Sequence, residues 1–316
     1  MLNSSRRRLS RASAVTVTLL SAACASVPSA PEEPAIPVVA TADDLVLPLD
    51  DYDLDAKGRS VVQTARYKLA TDCLARFGFT MPPHNTSRSD YPANADYLGW
   101  LGALDVSKNG YTGTERQLLS DIPAARAGIR GYSIPPEQDD VQTGGVSTFK
   151  GKPVPKYGCD GEAQQKLNGQ APGPDGKVPA KPHIYKNLYN FMDDAAMAAY
   201  TDKRILEAVA RWSQCMKAKG FTYDKPWEAQ ADSRWAGRGE VPPGQHLAKP
   251  PAIELRTATA DEQCRLAVNY SGVRRAAYTE AQQRVIAANR DALERLRVLQ
   301  RTRYQNALKV LAAGAR

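Results

Sequence analysis

Residues Cys73 to Thr80 read CLARFGFT, and residues Cys215 to Thr222 read CMKAKGFT. One spacing, a cysteine followed after four residues by Gly-Phe-Thr, thus occurs twice in a chain of 316 residues. Upstream of the first copy, Val62, Ala65, Leu69 and Cys73 recur at helical spacing. Upstream of the second, Ile205, Val209, Trp212 and Met216 do the same, and each set makes one apolar helix face. Gly78 and Gly220 then stand where these helices end, because glycine takes the left-handed conformation without a Cβ clash. In that motif the next residue folds back on the helix, so Phe79 is expected on Leu74 and Phe221 on Met216. The repeat therefore predicts two helix ends, each with a cysteine about one turn inside it. It is an architectural device.

The other cysteines support that reading. The chain has five: Cys24, Cys73, Cys159, Cys215 and Cys264. None belongs to a C-x-x-C, and His84, His183 and His246 lie far from every cysteine in sequence, so zinc spacing is absent and no metal site or cofactor is expected. Setting Cys24 aside leaves four, an even number, which in an exported chain favours disulfides. Cys159 and Cys264 each run into helical sequence, "CDGEAQQKL" and "CRLAVNY". Each half then reads as a helix ending at a cysteine, a long excursion, and a cysteine on a second helix. Of three possible connectivities this favours Cys73–Cys159 and Cys215–Cys264.

Export is written at the N-terminus. "MLNSSRRRLSR" is a basic leader, and Ala12 to Ala23 form an apolar stretch too short to span a bilayer. "LLSAAC" resembles a lipobox, which would make Cys24 a lipidated N-terminus and residues 1–23 its signal peptide. Cleavage after Ala25 is the alternative, and Ser5 to Arg11 also resembles a twin-arginine signal. Formal net charge is +8 and the sequence pI about 9.2, but four arginines of the leader leave +4 without it. Mean hydropathy of −0.47 excludes a polytopic membrane protein.

The remaining charge is uneven. Eight acids lie between Glu32 and Arg59, against Lys57 and Arg59; ten bases lie between Val273 and Arg316, against Glu280, Asp291 and Glu294. Residues 24–48, rich in Pro, Ala and acids, read as a flexible tether. Residues 49–272 read as a helical domain of two disulfide-stapled halves, about 49–182 and 183–272. A short helix is expected near Thr114–Ala127, and a helix pair broken near Tyr200. Thr259 with Glu262 reads as a capping box. Residues 273–316, without Gly or Pro up to Ala313, read as a long basic helix whose far end outruns a compact core and projects. Arg295, Arg297, Arg301 and Arg303 cluster there as a surface for anionic lipid, wall polymer or an envelope protein. The fold class is mainly α: a disulfide-stapled helical domain with long irregular loops and an extended C-terminal helix.

The ordered set "LPLDDY", "YTG", "VPKYGCDGEA", "ARWSQCMKAKGF" and "ADEQC", with the C-x4-G-F helix ends, resembles a family of uncharacterised secreted actinobacterial lipoproteins. The resemblance covers the chain from about Leu47 onward. It implies an envelope location and no activity.

Catalytic signatures are sparse. "STFK" (Ser147 to Lys150) matches the S-x-x-K of penicillin-binding enzymes without their companion motifs. "DYDLDAKG" imitates the start of a calcium loop, but Ala56 and Val62 stand where Gly and Glu are required, and an acidic helix start is the better account. Trp227 and Trp235 suggest a groove. The sequence thus points to a non-enzymatic envelope lipoprotein, lipidated at Cys24 and outside the cytoplasm, with no nucleic-acid partner. A wall-polymer hydrolase using an acid pair or Ser147 is the alternative.

Overall fold

The computed structural model describes residues 35–81, 92–113, 134–182, 185–239 and 246–313. The chain from Ile36 onward forms one unit. It opens with two 3-10 turns, Ala42–Leu45 and Pro48–Tyr52, followed by α1 (Ala56–Ala75) and the short α2 (Ala95–Leu98) and α3 (Val106–Asn109). Next come α4 (Pro136–Thr143), a hairpin of β1 (Thr148–Phe149) and β2 (Lys152–Pro153), and α5 (Gly158–Asn168). The second half holds α6 (Leu188–Ala199), α7 (Lys203–Ala218), α8 (Pro226–Gln230), α9 (Ala252–Ala267) and α10 (Tyr270–Ala313).

Both copies of the repeat are Schellman helix ends. Gly78 (φ +85°) donates its N–H to the Ala75 carbonyl, and Phe79 N–H reaches Leu74 O at 3.2 Å. Gly220 (φ +86°) donates to Lys217 O, and Phe221 N–H to Met216 O at 3.0 Å. The disulfides are Cys73–Cys159, joining α1 to α5, and Cys215–Cys264, joining α7 to α9. Each lies in a small apolar cluster, the first with Leu74, Phe77 and Val141, the second with Trp212, Met216 and Ala229.

The long helix α10 is the spine, and here the sequence expectation is corrected. At 44 residues it spans roughly 66 Å. It bends at Asn289 (φ −129°), whose side-chain amide donates to Val285 O. It does not project. Its first half packs on α6 and α7, its middle on α6, and its last turns on α1 and α5. Leu293, Leu296, Leu299 and Ala307 are wholly buried, whereas Leu308 is exposed. Two helices from the N-terminal half, α1 and α5, give the far end something to lie on, so its length is absorbed by packing.

The supposed tether is shorter than residues 24–48. Val39, Leu45, Leu47 and Leu49 are buried. The acids read as solvating are local caps. Asp44 accepts from the N–H groups of Ala40 and Thr41, and these bonds hold its carboxyl below the usual range. Asp50 accepts from Leu47 N–H and from Asn94 Nδ2, while burial pushes its pKa up. Asp55 is the N-cap of α1, accepting from Gly58 N–H at 2.6 Å, as the acidic helix start required. Helices α6 and α7 break after Ala199, near Tyr200 as expected. The expected helix at Thr114–Ala127 lies outside the described residues.

Candidate functional site

The chemistry of the unit is concentrated on α9. Its inward face carries Glu254, Thr257, Ala258, Asp261, Cys264 and Arg265, spaced 3, 1, 3, 3 and 1 residues apart, and all are buried. A helix of this spacing normally buries aliphatics. Here two carboxylates and a guanidinium go inside, and each is held by a set of partners.

Asp261 accepts four hydrogen bonds. Trp212 Nε1 (2.8 Å) and Arg265 Nε (2.7 Å) donate to Oδ1; Arg265 Nη2 (2.9 Å) and the Tyr111 hydroxyl (3.0 Å) donate to Oδ2. Burial and the Asp261 charge push the Tyr111 phenol far above its ordinary pKa. Burial opposes the Arg265 charge, but Asp261 outweighs it and raises the guanidinium pKa. Arg265 also donates to Gly99 O (2.8 Å) and Gln230 Oε1 (3.2 Å), and lies 5.5 Å from the centre of the Tyr270 ring. Two turns away, Glu254 takes a bidentate pair from Arg238 (2.9 and 2.8 Å) and the N–H of Tyr111. These pairs tie α9 to α7, α8, the loop at Gly99 and the turn at Tyr111.

Beside this network opens a cleft of about 220 Å³. Its walls are residues 38–40, the loop 99–102, and the junction where α9 passes into α10. That junction turns on Asn269 (φ +49°), whose amide donates to Pro37 O. The loop is Gly-Trp-Leu-Gly. Gly99 (φ +63°) and Trp100 close α2 with the same pair of bonds that ends α1 and α7, to Asp96 O and Ala95 O. A Cβ at Gly99 would sit 2.6 Å from the Tyr270 ring, and one at Gly102 would sit 2.4 Å from the Trp100 ring. Both glycines are needed for rings to lie against the backbone.

Glu262 stands on the cleft wall. It is three turns inside α9, so the reading of Thr259 and Glu262 as a helix cap is corrected. Burial raises its pKa, and the negative charges of Asp105 and Asp261 add to this against the pull of Arg265. Among the described residues no hydrogen bond to its carboxylate is present.

Of the four arginines read from the sequence as a surface, Arg303 goes inside, Arg295 and Arg297 are half-buried and Arg301 is exposed. Arg303 is buried, donating to Asn168 Oδ1 (2.7 Å) and the Tyr185 hydroxyl (3.2 Å). Arg295 spends Nε and Nη2 on Pro174 O, which fixes the loop after α5. Arg297 pairs with Glu294 and lies 5.9 Å from the Tyr52 ring centre. Arg301 is exposed. At Arg295 the cause is that a helix crossing a loop meets a free carbonyl, which the guanidinium satisfies. The tryptophan groove is not formed either: Trp235 is buried, stacked on Tyr111 and donating to Ala229 O, whereas Trp227 points to solvent. Ser147 is exposed at the start of the hairpin, whose turn residues Lys150 (φ +48°) and Gly151 (φ +74°) account for "STFK" as local geometry. Among the described residues no group of three or more His, Cys, Asp or Glu side chains is placed to hold a metal ion, and no helix is long and apolar enough to cross a membrane. Cys24, His84 and His183 lie outside the described residues.

No family model matches the chain, and neither a curated protein nor a solved structure matches it. The buried polar face of α9 was invisible to a search for apolar periodicity. Its one sequence signal is the spacing of Glu254, Asp261 and Arg265, which share a helix face.

Proposed function

We propose that this protein is a non-enzymatic cell-envelope lipoprotein, a binding or accessory module held at the membrane–wall boundary by lipid on Cys24. The observation that carries this reading is cysteine usage. Cys73, Cys159, Cys215 and Cys264 are spent in two disulfides, and Cys24 stands outside them behind a basic and then apolar leader. Disulfides persist in oxidising compartments, which fits a location outside the cytoplasm. The resemblance to secreted actinobacterial lipoproteins supports the same place.

Binding is the activity that the cleft supports. It offers one carboxylate beside aromatic and backbone walls, whereas glycoside hydrolysis uses two carboxyl groups facing each other across the substrate. Labelling with a palmitate analogue is expected to mark the wild-type protein, and Cys24→Ser to release it from membranes. Retention of the variant in the membrane fraction refutes the anchor.

A further inference from the structure

We propose that the cleft at the α9–α10 junction binds a small organic ammonium ion, with Glu262 as its counter-charge and Trp100 as its aromatic wall. This deepens the binding reading above by naming the class of ligand.

The cleft has two charged side chains at its edge, and they differ in what they have left to offer. Arg265 is nearly spent: four of its five N–H groups go to Asp261, Gly99 O and Gln230, so it has little with which to bind an anion. The Asp261 oxygens are saturated in return, by Trp212, Tyr111 and Arg265. Arg265 and Asp261 therefore cancel as a buried pair. Glu262, by contrast, has no hydrogen-bond partner among the described residues and stands half-buried on the wall. The uncompensated side-chain charge of the cleft is negative, and Glu262 supplies it with a free acceptor.

A carboxylate brought partly out of water without a partner is unfavourable, and a cation restores what desolvation removed. The negative charges near Glu262 are Asp105 and Asp261, and the positive one is Arg265; Asp105 is itself paired with Lys108. Burial raises the Glu262 pKa first and that surplus adds to it, and a cation entering the cleft opposes both. A primary ammonium suits the site, because it donates directly to a carboxylate in a charge-assisted bond. Indole is the strongest aromatic partner for a cation. The Tyr270 ring is already engaged by Arg265 and Arg274, at 5.5 and 5.4 Å, which leaves Trp100 for the ligand. Leu101 and Val39 supply apolar wall for a short carbon skeleton. At about 220 Å³ the space is below that of drug-sized sites, so the ligand is a few carbons with one charged end.

The test is calorimetric titration of the full-length, disulfide-intact protein with n-butylammonium, n-butanol and butyrate as probes. Butylammonium is expected to bind tighter than butanol, and butyrate not at all. Glu262→Gln should weaken butylammonium roughly ten- to a hundredfold while leaving butanol unchanged. Glu262→Asp should retain part of the preference. Butylammonium binding should fall as pH drops through the raised Glu262 range, because protonation removes the counter-charge. Trp100→Phe, as a second variant, should weaken butylammonium and keep its advantage over butanol. No advantage of butylammonium over butanol, or full retention in Glu262→Gln at an unchanged melting temperature, overturns the assignment. Since titration does not depend on where the protein resides, failure here leaves the Cys24 anchor standing, and loss of the anchor leaves the cleft.

Discussion

Replacing Asp261 with asparagine removes one negative charge from the interior and changes almost no volume. Arg265, 4% exposed, then keeps its positive charge with no counter-charge beside it. Three donors, Trp212 Nε1, Tyr111 OH and the Arg265 guanidinium, converge on the position and would face an amide whose nitrogen is itself a donor. Removing one partner of a buried ion pair costs about 3–5 kcal/mol. At about 2–4 °C per kcal/mol for a chain of this size, the melting temperature should fall by roughly 6–20 °C. The second arm separates charge from packing. In Asp261→Leu/Arg265→Met both charges go together, and a pair replaced by apolar groups of similar bulk is often neutral or better. The double variant is therefore expected to be more stable than Asp261→Asn. Thermal unfolding of the oxidised protein followed by circular dichroism reads both. If Asp261→Asn melts within about 2 °C of wild type, the α9 network is not a determinant of stability and the reasoning fails.

Further outcomes follow from the same structure. Gly99→Ala, which adds a Cβ 2.6 Å from the Tyr270 ring at positive φ, should destabilise by more than Gly78→Ala or Gly220→Ala. The latter two meet open space, so each should cost only the left-handed backbone penalty of about 1–2 kcal/mol; equal losses at all three refute the close packing at the cleft. Truncation after Leu296 removes Leu299 from the cluster with α6 and takes Arg303 and Ala307 from α5 and α1, and should prevent accumulation of folded protein, whereas truncation after Ala312 should not. In chain-entropy terms the disulfides, closing separations of 86 and 49 residues, contribute about 4.6 and about 4.1 kcal/mol; non-reducing peptide mapping should recover both pairs, and pairwise Cys→Ser variants should rank in that order of loss. Glu262 binds its proton more tightly in the folded than in the unfolded chain, so its contribution to stability is full below the unfolded carboxyl pKa and is lost as pH rises through the folded one. The difference in melting temperature between wild type and Glu262→Gln should shift in that direction across this window, and a pH-independent difference refutes the raised pKa.

What could be read from one sequence was whatever is local. The C-x4-G-F repeat specifies a helix end, because a Schellman cap is built from hydrogen bonds within six residues and needs only a glycine followed by an apolar residue. The same logic held at Leu98-Gly99-Trp100, where it went unread because the helix before it is a single turn. Cysteine parity and the order of helices led to both disulfides, since a bond between consecutive elements of one half closes the shorter excursions. Asp44, inside the stretch read as a tether, was misread because acids beside prolines and alanines look like solvent-facing chain; only the folded turn shows that its carboxylate satisfies its own backbone. The arginines of α10 were misread for a related reason. Charge in a sequence carries no information about which acceptors it will meet, and Arg295 and Arg303 meet theirs, the Pro174 carbonyl and the Asn168 side chain, 121 and 135 positions away. The sequence by itself determined the helical elements, their ends and their staples, through interactions closed within a few residues or by covalent pairing. Tertiary structure alone decided that α10 is buried along its length, that Asp261 and Arg265 go inside, and that Glu262 and Trp100 share a cleft, because burial depends on what distant segments bring to the same place.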